Sequence, residues 1–542
     1  MPVSTTTYIT SRPSRPSYSS SSAGPPSPDT RKSMKREDKW IIQNDSKLHS
    51  YGRDKAPYPF SYDREVIEMS CMDHAFIAKL KNTVSLINFK GDTPKRCLDL
   101  GTGVGDWVVD AAKHWTDCTF VGYDLVNYQI PPSLLPDEVQ DRIEWVHGNF
   151  LRQKLPFDDD EFDHVHIQNI AFAVPENKWP SVYEEVNRVL RPGGTVEVIE
   201  DDAIFPVLPR WFTTPLTADP SRRTPSYDSS ATMVPSRNCF DHLPHDHALL
   251  EKLYKLVFHN RFLNPTPSSI LPNIFSSTFR HVLSPPVLYF HMPPIAPLPP
   301  LPPVVEPLIQ QRPRKPSNTS EASESTASSS SPYTDSSDSE GPSASSAATS
   351  LESHCIFRVN HRNSVYMEES GTQIGGNSAV ELLPMTDLVD LDDHTLFLQL
   401  HRAVVTVLSA KEAMWEELKE LMKQERNSLY IYGWEENEFD ERSSRKKFNR
   451  LVERYKRWVF GGGTGVKYLT RYFRDMKVRC SLWHTCTRQG WALPRPQPLS
   501  KSEEVEQQRF RKAVLEARQL ADPEDLNVPC RALRVLVGVK SI

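Results

Sequence analysis

The chain has no apolar run approaching the ~18 residues that a membrane-crossing helix needs. Its first residues are rich in Ser, Thr and Pro, without the apolar segment of a secretion signal. A cytoplasmic or nuclear protein with no membrane partner is the expectation. Cysteine is sparse, eight in 542 residues and none paired as CxxC, which excludes a disulfide-stapled secreted scaffold and points to reduced thiols. Cys480, His484 and Cys486 stand close together, but no second ligand pair lies at zinc-site spacing, so no metal is expected. Neither sign of charge dominates: a net charge of -5 gives no global electrostatic reason to bind nucleic acid. Hydrophobic residues are also scarce, at 38%, whereas prolines number 46. Much of the chain therefore cannot bury enough apolar surface to fold.

What is present falls into blocks. Residues 1–38 read as a disordered tail with a small basic patch at Arg31, Lys32, Lys35 and Arg36. From Tyr58 to Leu86 the spacing is helical, with Val66, Met69, Ile77 and Leu80 available for one buried face. Short apolar strands and helices then alternate: RCLDL, a helix from Trp107 to Trp115, CTFVGYDL, IEWVHGNF, FDHVHIQNI, a helix from Trp179 to Leu190, and TVEVIED. Such alternation predicts an α/β fold with a Rossmann-like, doubly wound sheet, its core spanning 96–202 within a domain of 39–290. Arg191-Pro192-Gly193-Gly194 is expected to end the last of these helices and turn the chain. The rhythm is lost from Asp202 to about Asn238, then HALLEKLYKLVFHNRFLN reads as helix and STFRHVLSPPVLYF as a strand region.

Residues 291–350 begin with a proline tract and continue as Ser, Thr and acidic low complexity, a disordered insertion that is either a bare spacer or a ligand for an SH3-like partner. The stretch 384–542 reads as mainly helical. Within it, apolar residues at 400, 404, 408, 415, 418 and 422 predict one long amphipathic helix over Asp393–Met422. At the end, Leu533, Val535, Val537 and Val539 fall on one side of an alternating segment, with Arg534 and Lys540 on the other. A lone terminal strand needs a sheet to join, and the sheet begun at Arg96 is the obvious one.

The chemistry gathers at Asp99-Leu100-Gly101-Thr102-Gly103-Val104-Gly105, after a strand and before a helix. A nicotinamide-type GxGxxG would need glycine where Asp106 stands. The spacing DxGxGxG is instead that of the loop receiving the methionine part of S-adenosylmethionine, where missing side chains admit the backbone to the ligand. Asp124 ends the second strand, where an acid accepts hydrogen bonds from both ribose hydroxyls, with Leu125 beside it. Asn149 and Phe150 follow the third strand and suit an adenine edge and face, Phe150 reading equally as core. Gln168 and Asn169 end the fourth strand at the ligand-binding mouth.

The segments LDLGTGVGDWVVDAA, VGYDL, LPFDDDEFDHVHIQ and EEVNRVLRPGGTVEVIED, with Tyr58-Pro59 and Asp73-His74 upstream, resemble fungal class I methyltransferases of the type that includes the secondary-metabolism regulator LaeA. The resemblance covers roughly 40–205 and, weakly, Lys411–Leu418. It implies S-adenosylmethionine as cofactor and a helix carrying Asp73 and His74 that closes over it, bringing Tyr58 near the site. Family members often carry aspartate where this chain has Asn149; an amide still offers an oxygen to the adenine amino group.

No residue announces itself as a catalytic base, as expected where an activated sulfonium needs only alignment of the acceptor. His164 and His166 share one side of the fourth strand and read either as base candidates or as structural histidines. Glu200, Asp201 and Asp202 read either as site acids or as a solvated loop start. Gly461 to Gly465 lacks the phosphate-loop pattern and reads as a turn. The basic run Arg445, Lys446, Lys447, Arg450, Arg454, Lys456, Arg457 is either a solvated helix face or a binder of phosphate or an acidic partner. The expected function is S-adenosylmethionine-dependent methyl transfer to an acceptor, small molecule or protein. The alternative is a non-catalytic regulator acting through protein partners.

Overall fold

The computed structural model describes residues 40–207, 243–293, 381–382, 393–460, 464–520, 524 and 528–541, except positions 82, 90 and 491. The tail 1–38, residues 294–350 of the insertion and Gly461 to Gly463 lie outside the described residues.

Four apolar segments pair in parallel at the centre: β3 (Arg96–Leu100), β4 (Thr119–Asp124), β5 (Ile143–His147) and β6 (Phe162–Gln168), joined by β7 (Leu190–Asp201). The order β5-β4-β3-β6-β7 reverses direction at β3. The crevice outside the carboxyl ends of β3 and its two neighbours is where an open α/β sheet takes its ligand. Beyond β7 lies the last strand of the chain, β10 (Pro529–Val539), antiparallel, with Leu533 opposite Asp201 and Val539 opposite Thr195. It also pairs with β8 (Arg280–Leu283) and β9 (Leu288–His291).

Most side chains of β3, β4 and β6 are buried because both faces of the sheet are covered. Period-two alternation sends Cys97 and Phe120 to one face, beside Trp107, Val108 and Ala112 of α2 (Asp106–His114). Leu98 and Val121 go to the other, beside Trp179, Tyr183 and Val186 of α3 (Trp179–Val189) and Phe275 of α5 (Pro267–Thr278). The helix α1 (Arg64–Lys81) buries Met69, Met72, Phe76, Ile77 and Leu80 in a third cluster with α4 (Ala248–His259) and the C-terminal helices. The fold is thus a Rossmann-like α/β sandwich, completed at one edge by a strand from the far end of the chain.

Two local expectations need correction. Asp393–Met422 is not one helix but two, α6 (Asp393–Ser409) and α7 (Lys411–Gln424), parted at Ala410. The apolar stripe carries on across the break, but the Ser409 carbonyl accepts from the Ser61 N–H at 2.9 Å, a tertiary bond that periodicity cannot report. The segment Arg191–Gly194 is not a free turn either. It forms the irregular start of β7, with Gly193 at φ 77 and its N–H donating to the Lys540 carbonyl.

The basic run lies on α8 (Glu441–Phe460) and is largely occupied. Arg445 pairs with Glu412, Lys447 with Glu438, Arg454 with Asp246 and Lys456 with Glu65. Phe448 and Tyr455 are buried. These charges fasten the helix to the rest of the molecule.

Candidate functional site

A cavity of about 180 Å³ opens in the crevice at the end of β3. Asp99, Gly101, Thr102 and Gly103 of the glycine loop line it, with Asp124 and Leu125 after β4, Phe150 after β5, and Gln168 after β6. Gly105 and Asn149 are not among its lining residues.

The three glycines serve different ends. All adopt positive φ, at 82, 58 and 91° for Gly101, Gly103 and Gly105, a region L side chains enter at a cost. A Cβ on Gly101 would stand 2.3 Å from Ile170 Cγ2, and one on Gly105 2.4 Å from Trp145 Cη2. Those two glycines let the loop pack against the protein. At Gly103 the first neighbour of such a Cβ is the Tyr128 hydroxyl, at 3.4 Å, so it is here that the bare backbone borders the cavity.

Asp124 holds the loop from the other side, its carboxylate accepting from the N–H of Gly103 at 2.9 Å and of Val126 at 3.2 Å. Burial pushes this carboxyl up to about 6 against those N–H bonds. Asp99 accepts from Thr102 Oγ1 at 2.6 Å and meets His166 Nδ1 at 2.8 Å. The His166 ring also stacks on Trp107, centroids 4.1 Å apart and planes 1° from parallel. Burial lowers the pKa of His166, against the pull of Asp99, and takes His164 to about 3. His164 Nδ1 contacts Thr195 Oγ1, and the residue does not line the cavity. His166 does, pinned in place as part of the wall.

Phe150 lines the cavity and also packs against the core, so its two readings coexist. The Asn149 carboxamide donates to the Lys55 carbonyl and accepts from the Leu151 N–H, tying two loops at the rim. The acids ending β7 serve other partners: Glu200 accepts from the N–H groups of Ile170 and Ala171, Asp202 from Ser268, and Asp201 joins an ion network. Burial raises Glu200 to about 8.

That network is almost wholly buried. Arg531 of β10 grips Asp73 and Asp201, each at 2.6 Å, and donates to Gln399. Arg402 of α6 binds the same two acids and reaches Asn169 Oδ1 at 3.3 Å. Asp73 is therefore a clamp residue, while its neighbour His74 faces the cavity and bonds Asp110 Oδ2 at 2.9 Å, which in turn holds Arg488.

Three tyrosines that no sequence motif flagged as a set complete the wall. Tyr58, Tyr62 and Tyr128 meet edge-on or tilted at 5.2–5.6 Å, and Trp40 of the strand β1 (Trp40–Gln43), which pairs with β2 (Ser46–His49), backs Tyr62 and Tyr128. Asp106, whose place in the sequence speaks only against nicotinamide spacing, also faces the cavity, as do Ser70 and Trp107. Among the described residues, the lining thus contains three carboxylates, Asp99, Asp106 and Asp124, and no lysine or arginine.

Comparisons with known proteins agree with this geometry. Residues 97–194 match the family model of a methyltransferase domain. The chain is 32% identical to the secondary metabolism regulator LAE1 of Cochliobolus heterostrophus over 114 residues, 20% of this chain and 33% of that protein. It is 27% identical to the secondary metabolism regulator laeA of Aspergillus fumigatus over 178 residues, 31% and 43% respectively. To the sterol 24-C-methyltransferase ERG6 of Saccharomyces cerevisiae it is 33% identical over 106 residues, 19% and 26%. The matches thus span less than half the length of these relatives. Residues 97–194 thus match a methyltransferase domain, and the chain is similar in part to fungal secondary metabolism regulators of the LaeA type and to a sterol methyltransferase.

Proposed function

We propose that this chain binds S-adenosylmethionine in the cavity at the end of β3 and transfers its methyl group to an acceptor by in-line displacement. The observation that carries the reading is the charge of the cavity: among the described residues, three carboxylates and no lysine or arginine line it. Such a wall suits a ligand bearing a sulfonium and an ammonium and repels phosphate. Bound there, the cofactor supplies a methyl group already activated for transfer.

The protein's part is to hold and to exclude. Asp124 receives the ribose hydroxyls, and Gly103 lets the backbone approach the methionine chain. Phe150 covers the adenine, and Tyr58, Tyr62 and Tyr128 shield the site from water. Gln168 stands at the mouth, where an acceptor would meet the methyl group. No side chain here needs to act as a strong base.

A specific observation also favours a second reading, a regulator that keeps the cofactor and works through protein contacts. Asn169 and Asp201, at the acceptor end of the sheet, are tied up by Arg402 rather than left for a substrate. Resemblance to proteins named as secondary metabolism regulators points the same way. Calorimetry with S-adenosylmethionine tests what the two readings share: no heat of binding from the purified chain would refute both. Transfer of a radiolabelled methyl group to material in a cell extract then separates them.

A further inference from the structure

We propose that Asp106 is the acid that receives the α-ammonium of the methionine tail, an assignment resting on the cofactor reading above. Asp106 opens α2 directly after Gly105, is 5% exposed and lines the cavity. Both of its carboxylate oxygens are buried without an N–H or O–H partner among the described residues.

The two other acids of the wall are already engaged. Asp99 is held by Thr102 and His166, and Asp124 by the N–H groups of Gly103 and Val126. Asp106 has only weak or distant company: the Cys71 thiol, a poor donor; His74, engaged with Asp110; and Arg488, bound to that same Asp110, whose negative charge opposes its own. Burial accordingly raises the Asp106 pKa.

A carboxylate taken from water without a partner is costly, and the cost is offset when a cation and its N–H donors arrive. The bland role for an acid at this position is to complement the helix dipole. An acid serving only the dipole does so equally well in water, on the exposed face of the first turn. This one is buried and lines the cavity, beside Ser70 and His74 of α1. The cofactor's sulfonium has no hydrogen to donate, whereas its ammonium has three and finds in Asp106 the acceptor the protein leaves unfilled. Tyr128 lies within electrostatic reach of both Asp124 and Asp106, so ribose and ammonium would be read on the two sides of one aromatic wall.

The test is calorimetry on the full chain and its Asp106→Asn variant, with S-adenosylhomocysteine, the same molecule lacking its α-amino group, and methylthioadenosine, which lacks the whole amino-acid tail. Expected are a roughly tenfold to hundredfold loss of homocysteine-ligand affinity in the variant and little change for the two probes without an ammonium. Equal affinity of both proteins for S-adenosylhomocysteine overturns the assignment and leaves the cofactor reading standing. Equal losses for all three ligands overturn it too, by making Asp106 a structural residue. Binding of none of them by the unaltered chain removes the cofactor reading itself. Thermal melting without ligand supplies an independent readout: the variant should melt at the same temperature or higher, because a buried charge has been removed, and a large fall in melting temperature overturns the assignment.

Discussion

Two groups of buried acids stand at the same edge of one sheet and are treated in opposite ways. Asp73 and Asp201 are saturated, gripped by Arg531 and Arg402 so that α1, α6, β7 and β10 are locked together. Asp106 and Asp124 face a cavity whose wall, among the described residues, holds no lysine or arginine; there the first has no N–H partner and the second is held by backbone N–H groups. Burial disfavours the charged forms of Asp73, Asp106 and Asp124. Where arginines outweigh that cost, the Asp73 carboxyl stays below its usual range; where none is near enough, Asp106 and Asp124 rise above it. The first group holds the architecture; the second leaves a charge to be met by a ligand.

Breaking the saturated group should cost most. Arg531→Ala leaves Asp73 and Asp201 with Arg402 alone and should lower unfolding free energy by about 3–5 kcal/mol, measured by denaturant titration; a loss under about 1 kcal/mol would mean that the clamp is dispensable. On the cavity side the damage should fall on binding instead. Gly103→Val puts a branched side chain at a φ of 58° into the ligand's path and should weaken S-adenosylmethionine binding at least about a hundredfold, a loss of ~2.7 kcal/mol. Calorimetry reads that outcome directly.

Asp124→Ala should weaken binding by about 1.5 to 3 kcal/mol, the range for hydrogen bonds to a charged group. Unchanged affinity there would falsify the ribose placement. The smallest effect is one of pH. Burial pushes the Asp124 carboxyl up to about 6, and only its ionised form accepts from both hydroxyls, so affinity should be level above that pH and fall as pH drops through it. A flat profile down to pH 5, measured by ligand titration in matched buffers, would detach the ribose from this residue.

The glycine loop, the strand-end acid and the order of elements were readable because each is local. A backbone that must turn at positive φ asks for glycine, and a ligand at the end of a strand asks for a polar residue there. The ion clamp was not readable, since Asp73, Asp201, Arg402 and Arg531 are dispersed along the chain and each alone looks like a surface charge. Nor was the tyrosine wall, whose members come from the segment before α1 and the loop after β4. The break at Ala410 escaped for a related reason: an apolar stripe reports which face is buried, not that a carbonyl at Ser409 is claimed by Ser61.

By itself the sequence determined the parallel αβ alternation, the DxGxGxG loop with Asp124 beyond it, and an alternating final segment in need of a sheet. These depend on period, on φ and on the chemistry of neighbouring positions. Only the tertiary structure decided that β10 lies against β7, that Glu200 and Asp202 serve backbone and Ser268 rather than a substrate, and that Asp106 is buried beside the glycine loop without an N–H or O–H partner among the described residues. Whether an acid is spent or available is set by what folding brings within about 3 Å of it, and that is a property of the packed molecule.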